Sequence, residues 1–112
     1  MGGIRVIDLS EAQIVEDATF TSRRVVRREH GSTGMSFNVS TLREGFDDQH
    51  CVYPDHDEIV YLLSGMVELT IDGKTQTISA GKAIYIPRGK PYGYKVVKGP
   101  NEVIAVFTPA KS

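Results

Sequence analysis

A chain of 112 residues supplies one domain and one core, and is too short for a separate substrate domain. Apolar residues make up 40% and charged residues 24%, ordinary values for a globular protein, and a net charge of −1 gives no bulk attraction to nucleic acid or to an anionic membrane. No apolar run approaches the roughly 20 residues needed to span a bilayer, "MGGIRVIDLS" lacks the apolar stretch of a signal peptide, and the lone Cys51 excludes an internal disulfide framework, so the expectation is a cytoplasmic protein.

Almost every segment alternates apolar and polar residues between closely spaced turn signals, which predicts strands. "IRVIDL" (4–9) reads as a first strand. Ser10 is placed to cap one short helical turn in the segment that follows. "FTSRRVVRRE" (20–29) reads as a strand flanked by arginines. Arg23, Arg24, Arg27 and Arg28 suit a solvated or edge-protecting face; alternatively, one arginine of each pair enters a cavity and grips an anion. A two-residue period cannot place all four on one face. "GSTG" (31–34) is a turn, and "MSFNVSTL" (35–42) follows with Met35, Phe37 and Val39 on one face.

"REGFDDQ" reads as a loop, "HCVY" starts a strand that Pro54 interrupts, and "EIVYLL" (58–63) resumes it. After Ser64-Gly65, "MVELTI" carries Val67, Leu69 and Ile71 on one face. Asp72-Gly73 is a strong two-residue hairpin signal. "KTQTI", "KAIYIP", "YGYKVV" (92–97), the turn "KGPN" and "EVIAVFT" (102–108) complete the chain. Many short, evenly spaced strands without a long helix predict an all-β, closed or double-sheet structure.

Two stretches resemble the paired motifs of the cupin superfamily. Gly45 is followed by five residues, then Cys51-Val52-Tyr53, then Glu58 and Gly65 at the spacing of the first motif. Gly81, Pro87 and Gly89 fit the second motif, with Tyr92 at its histidine position and Val96 at its asparagine position. The resemblance implies a cupin jelly-roll barrel of two packed antiparallel sheets over 1–112, with an N-terminal strand and connecting segment in 1–19 and the barrel in 20–108. It also implies a homodimer, and the apolar 4–9 strand separately suits a place on a neighbour's sheet edge. "DHDEIVYLLSG" and "AGKAIYIPRGKPY" are most similar to the metal-free, ethanolamine-utilisation Q-type cupins.

Metal-binding cupins converge three histidines and a glutamate on one ion, and only Glu58 of those four positions is kept here. Cys51, Tyr53 and Tyr92 stand at the other three. His50 is one residue out of register, and a one-residue offset turns a strand side chain to the opposite face. His56, beyond Pro54, reaches the cavity mouth if strand parity breaks there. Cys51, Glu58 and, from the rim, His56 could supply three donors to a divalent metal, and Tyr53 or Tyr92 as phenolate could suit ferric iron; Cys51 is otherwise a small core residue.

The expected cavity therefore presents Glu58, Tyr53 and Tyr92, with His56 as an auxiliary acid or base and Cys51 and Tyr94 as binding residues. A carboxyl group among phenols is a candidate proton carrier or a structural network. Three readings follow for a small polar ligand: a metal-independent isomerase, lyase or cyclase using Glu58, a non-catalytic binding module, or a metalloenzyme (dioxygenase or lyase) with an unusual ligand set.

Overall fold

A computed structural model describes residues 3–112, so Met1 and Gly2 of the expected 1–112 domain lie outside the described residues. Eight strands run β1 Gln13–Glu16, β2 Phe20–Val26, β3 Ser36–Leu42, β4 Asp47–Cys51, β5 Asp57–Ile71, β6 Lys74–Ser79, β7 Ala83–Ile86 and β8 Tyr92–Thr108. Two 3-10 turns, Leu9–Glu11 and Arg28–His30, are the helical elements among the described residues.

All strand pairings are antiparallel. The molecule is a jelly-roll barrel because β5 and β8 are long enough to serve two sheets. The first part of β5 pairs with β7 and with the C-terminal part of β8, which continues through β3 and β2 to β1. The second part of β5 pairs with β6 and with the N-terminal part of β8, which carries β4 on its other side. The β5–β8 register shifts between Leu62 and Val67, around Gly65, where both strands pass from one sheet to the other.

The turn signals at Ser64-Gly65 and at "KGPN" therefore mark bends inside single strands instead of reversals between strands. Gly65 has φ +86, and a Cβ there would lie 2.5 Å from the Pro100 carbonyl oxygen and 2.7 Å from that of Lys98. Only glycine fits a left-handed backbone pressed this closely on its neighbour. By contrast, Asp72 (φ 53) and Gly73 (φ 74) do reverse the chain, joining β5 to β6 as their sequence predicts.

The predicted strand 4–9 is not formed. Ile4 and Val6 are 100% and 92% exposed, and a strand needs a partner to bond. Asp8, instead of Ser10, caps the short turn at Leu9–Glu11, accepting from the Ser10 backbone N–H at 2.9 Å. The predicted 20–29 strand stops at Val26, and the loop 43–49 already joins β4 at Asp47. Alternation in β5 turns Glu58, Val60 and Leu62 inward and Ile59, Tyr61 and Leu63 outward. Leu62, Val67 and Leu69 form the fully buried centre, with Ile84, Ile86, Val96 and Val103 around them.

On β3 the outcome is less usual. The apolar row Phe37 and Val39 faces outward, half-buried, while Ser36, Asn38 and Ser40 face the interior. A polar row turned inward means that the space between the sheets is not purely a hydrophobic core.

Gly65→Ala is expected to destabilise the protein by about 3 kcal/mol or more, through left-handed strain and backbone overlap together. Gly89→Ala, also at positive φ (+77) but with open space around it, should cost only about 1–2 kcal/mol. Urea unfolding of both variants checks the contrast; equal losses would mean that φ, not the strand contact, governs Gly65.

Candidate functional site

The interior polar row opens onto a cavity of about 290 Å³ between the sheets. From β2 come Ser22 and Arg24, from β3 Asn38 and Ser40, from β4 Asp48 and Cys51, and from β5 Glu58 and Val60. β8 supplies Tyr92 and Tyr94 from one sheet and Val103, Ala105 and Phe107 from the other. Tyr53, Lys111, Phe20, Leu42 and Phe46 close the remaining sides. The volume lies at the lower end for organic ligands, suiting a small metabolite.

Glu58 is 5% exposed, and the Tyr92 hydroxyl donates to its Oε1 at 2.8 Å. Removal from water raises the Glu58 carboxyl from 4.5 to about 7, against the opposing pull of the Tyr92 hydrogen bond and the Lys111 charge. Its acid and carboxylate forms therefore coexist at neutral pH, the condition for passing a proton in either direction. Burial, followed by the charge of Glu58, pushes the Tyr53 phenol up to about 12. The same causes, in the same order, raise the Tyr92 and Tyr94 phenols. All three tyrosines remain neutral donors at pH 7.

Tyr94 is 5% exposed, and its hydroxyl has no hydrogen-bond partner among the described residues; the Asn38 side-chain oxygen is likewise buried and unpartnered. Tyr53 packs edge-on against Phe107, with ring centroids 5.0 Å apart.

Of the residues expected in the cavity, Glu58, Tyr53, Tyr92, Cys51 and Tyr94 come together there. His56 does not. Its ring packs against Phe107 with centroids 6.3 Å apart, and its Nδ1–H donates to the Pro109 carbonyl oxygen at 2.9 Å. The chain beyond Pro54 thus turns His56 toward the C-terminal segment, and it is not part of the site. His50 is exposed on β4.

The side chains present do not fit a divalent metal. No group of three or more His, Cys, Asp or Glu side chains is arranged to hold one among the described residues. Within the cavity, burial, reinforced by Asp48, pushes the Cys51 thiol up to about 12, opposing the thiolate a metal needs. Withdrawal of His56 removes the third donor of the set Cys51, His56 and Glu58.

Arg24 and Lys111 are the principal additions to the expected site. Of the four arginines in the β2 region, only Arg24 lines the cavity. Arg23 donates to Thr41 Oγ1 at 3.2 Å, Arg27 pairs with Glu29 at 2.7 Å, and Arg28 donates to the Ala110 carbonyl oxygen at 2.8 Å. The polar alternation Ser36, Asn38, Ser40 was the signal that could have found the inner face of β3. Nothing in the local sequence marks Lys111.

Residues 40–107 match the family model of the cupin domain. The chain belongs to the cupin family. Among curated relatives it is 28% identical over 102 residues to the L-ectoine synthase of Vibrio campbellii, covering 89% of this chain and 77% of that one. The solved ectoine synthase from P. lautus superposes with a TM-score of 0.85 at 23% identity, over 97% of this cupin and 80% of that chain. The polyketide cyclase RemF from Streptomyces resistomycificus gives 0.75 at 20% identity, over 96% and 80%. At such identities the structural likenesses establish the fold alone. No helix among the described residues is long and apolar enough to cross a membrane.

The position of Glu58 between 4.5 and about 7 has a consequence for stability. Over that window the unfolded chain ionises its glutamate while the folded cupin keeps the proton, so stability falls as pH rises and levels off above about 7. The loss is at most roughly 3 kcal/mol. Unfolding free energies of wild type minus Glu58→Gln, measured between these limits, should show that slope; a flat difference would place Glu58 in water. Tyr92→Phe removes a donor to the charged form, so the Glu58 midpoint should move further above 7, read by carboxyl carbon NMR.

Proposed function

We propose that this cupin binds a small polar metabolite in the cavity between its sheets and transfers a proton on it through Glu58, without a metal. The reading covers a metal-independent isomerase, lyase or cyclase acting on a carbonyl or carboxylate compound. The observation that carries it is the geometry of Glu58, a carboxyl group buried at the wall of a cavity and hydrogen-bonded through one oxygen only. Tyr92 occupies Oε1 at 2.8 Å, and Oε2 has no hydrogen-bond partner among the described residues.

In such a reaction Oε2 takes a proton from the carbon next to a carbonyl, and the released electron pair moves onto the carbonyl oxygen. A neutral phenol is suited to donate to that developing charge, and Tyr53 and Tyr94 are the phenols not committed to Glu58. Return of the proton from Oε2 to a different carbon gives an isomer; expulsion of a β-substituent gives elimination. The relatives named as a synthase and a cyclase support catalysis as the role of the fold's cavity. The lone free Cys51 supports a cytoplasmic setting.

Glu58→Gln preserves shape and removes the proton. It should abolish turnover on a panel of aldoses, keto acids and hydroxy acids while leaving folding intact. Full activity of the Gln variant would end this role for Glu58. Ligand binding without turnover in wild type would make the cavity a recognition module only.

The assembly we propose is a homodimer formed through the outer face of the larger sheet. An antiparallel sheet with one wet face carries polar residues outside. Here that face shows Ile59, Tyr61, Leu63 and Tyr85, which are 47%, 39%, 49% and 63% exposed. Val39, Ile104, Val106 and Phe37 continue it across register-paired positions of β3, β8 and β5. A row this apolar, bordered by Arg23 beside Val39, fits its own copy across a two-fold axis. Light scattering at micromolar concentration should give a dimer, and Tyr61→Lys with Leu63→Lys should give a folded monomer. A monomeric wild type would overturn the assembly.

A further inference from the structure

Several basic side chains in this cupin have acceptors of their own. Arg88 bonds Asp57 at 3.2 Å and Lys90 bonds Asp72 at 2.7 Å, in addition to the partners already given for Arg23, Arg27 and Arg28. Arg24 and Lys111 differ. Both line the cavity, and neither has an ion-pair or hydrogen-bond acceptor for its side chain among the described residues. The Lys111 ammonium lies over the rings of Tyr53 and Phe107, 5.2 and 5.3 Å from their centroids. Aromatic faces attract a cation and hold it in place. Burial, and then the nearby charge of Arg24, lowers the Lys111 ammonium from its ordinary range. Two cations held within reach of one another and partly withdrawn from water are costly unless an anion joins them.

The surroundings supply the rest of an anion site. Arg24 stands opposite Asn38, and Ser22 opposite Ser40, so that amide and hydroxyl groups flank the guanidinium on the interior face. The Asn38 side-chain oxygen is buried and unpartnered, ready to accept from a ligand hydroxyl. Glu58 acts on the Lys111 ammonium through its charge but forms no ion pair with it, and its Oε1 is already hydrogen-bonded to Tyr92.

We infer that Arg24 and Lys111 form a carboxylate-binding end of the cavity, so that the ligand is a small organic acid carrying a carbonyl or hydroxyl group toward Glu58. This rests on the cavity being the ligand site, as proposed above, and adds the class of ligand. A planar carboxylate matches the guanidinium fork. The same cavity wall provides aromatic and hydroxyl surfaces for a short carbon skeleton.

Acid and amide pairs of one shape test the inference: 2-oxobutyrate against 2-oxobutyramide and benzoate against benzamide, with inorganic phosphate as a third probe. Binding is read by saturation-transfer NMR and calorimetry on the whole protein. At least one acid should bind about tenfold or more tighter than its amide, a difference of about 1.4 kcal/mol. Arg24→Gln combined with Lys111→Gln should erase the preference, Lys111→Arg should keep it, and the surface control Lys90→Gln should leave it unchanged. Melting curves establish that each variant is folded. Equal binding of acids and amides, binding of phosphate alone, failure of every acid to bind, or a preference surviving the double substitution would each overturn the inference. Glu58→Gln should lose turnover and still prefer the acid, so that failure of the proton-transfer reading and failure of the anion site give different results.

Discussion

Two strands that each serve two sheets hold this molecule together, and the contact that lets them do so is the bend at Gly65. There the β5 backbone runs so close to β8 that a methyl group would lie 2.5 Å from the Pro100 carbonyl oxygen. Before the bend, β5 turns Glu58, Val60 and Leu62 into the larger sheet's concave face; after it, Val67 and Leu69 face inward from the smaller sheet. Because β8 bends beside it, Tyr92 and Tyr94 come from one sheet and Val103, Ala105 and Phe107 from the other. The Tyr92–Glu58 hydrogen bond joins these halves across the interior. A straight β5 would separate donor from acceptor, leaving both without their partner and incurring the desolvation cost of an unpaired buried group.

Glu58 shows how the environment sets the chemistry. Burial alone would drive the carboxyl group toward permanent protonation, and hydrogen bonding alone would hold it ionised. Here burial wins and the Tyr92 bond restrains it, leaving the group near neutrality. The same burial raises the phenols and the Cys51 thiol, so these groups stay uncharged while Glu58 changes state. The cavity is thus a poor place for a cation held by thiolate or phenolate.

Much of this was legible in the sequence where the signal was short-range. Asp72-Gly73 reverses the chain because two successive positive φ values suit only a few residue types, and those residues are visible in a sequence. The motif spacing placed Glu58, Tyr53, Tyr92 and Cys51 at one cavity, and the two-residue strand period added Tyr94. What failed was whatever a distant partner decides. Gly65 reads the same whether a strand bends or reverses, and the choice depends on β8. The 4–9 segment alternates like a strand but finds no edge within its own chain. His56 was expected at the cavity mouth because parity need not hold beyond Pro54; parity does break there, but the C-terminal segment at Pro109 takes the ring instead. Lys111 acquires meaning only because Ala110 is fully buried and the Lys111 backbone N–H donates to Ser36 Oγ at 3.0 Å, tying the C-terminal segment to the barrel.

The inversion on β3 links these levels. An apolar strand row normally identifies the core, yet Phe37 and Val39 lie outside while Ser36, Asn38 and Ser40 line or approach the interior. Turning hydroxyl and amide groups inward sacrifices core burial, at roughly 1.5–3 kcal/mol for each large apolar side chain that could have stood there. A barrel built for stability alone would fill that space from both sheets, as Leu62, Val67 and Leu69 do at the other end. The row opposite it, Ser22 and Arg24 on β2, repeats the same choice in register. Two adjacent strands thus give their inner faces to polar groups, and part of the apolar surface so displaced lies on the outside of the sheet. The cavity and the exposed apolar face are therefore two sides of one pattern: a sheet whose inside is reserved for a ligand needs another surface, such as a second copy, to cover what it has turned out.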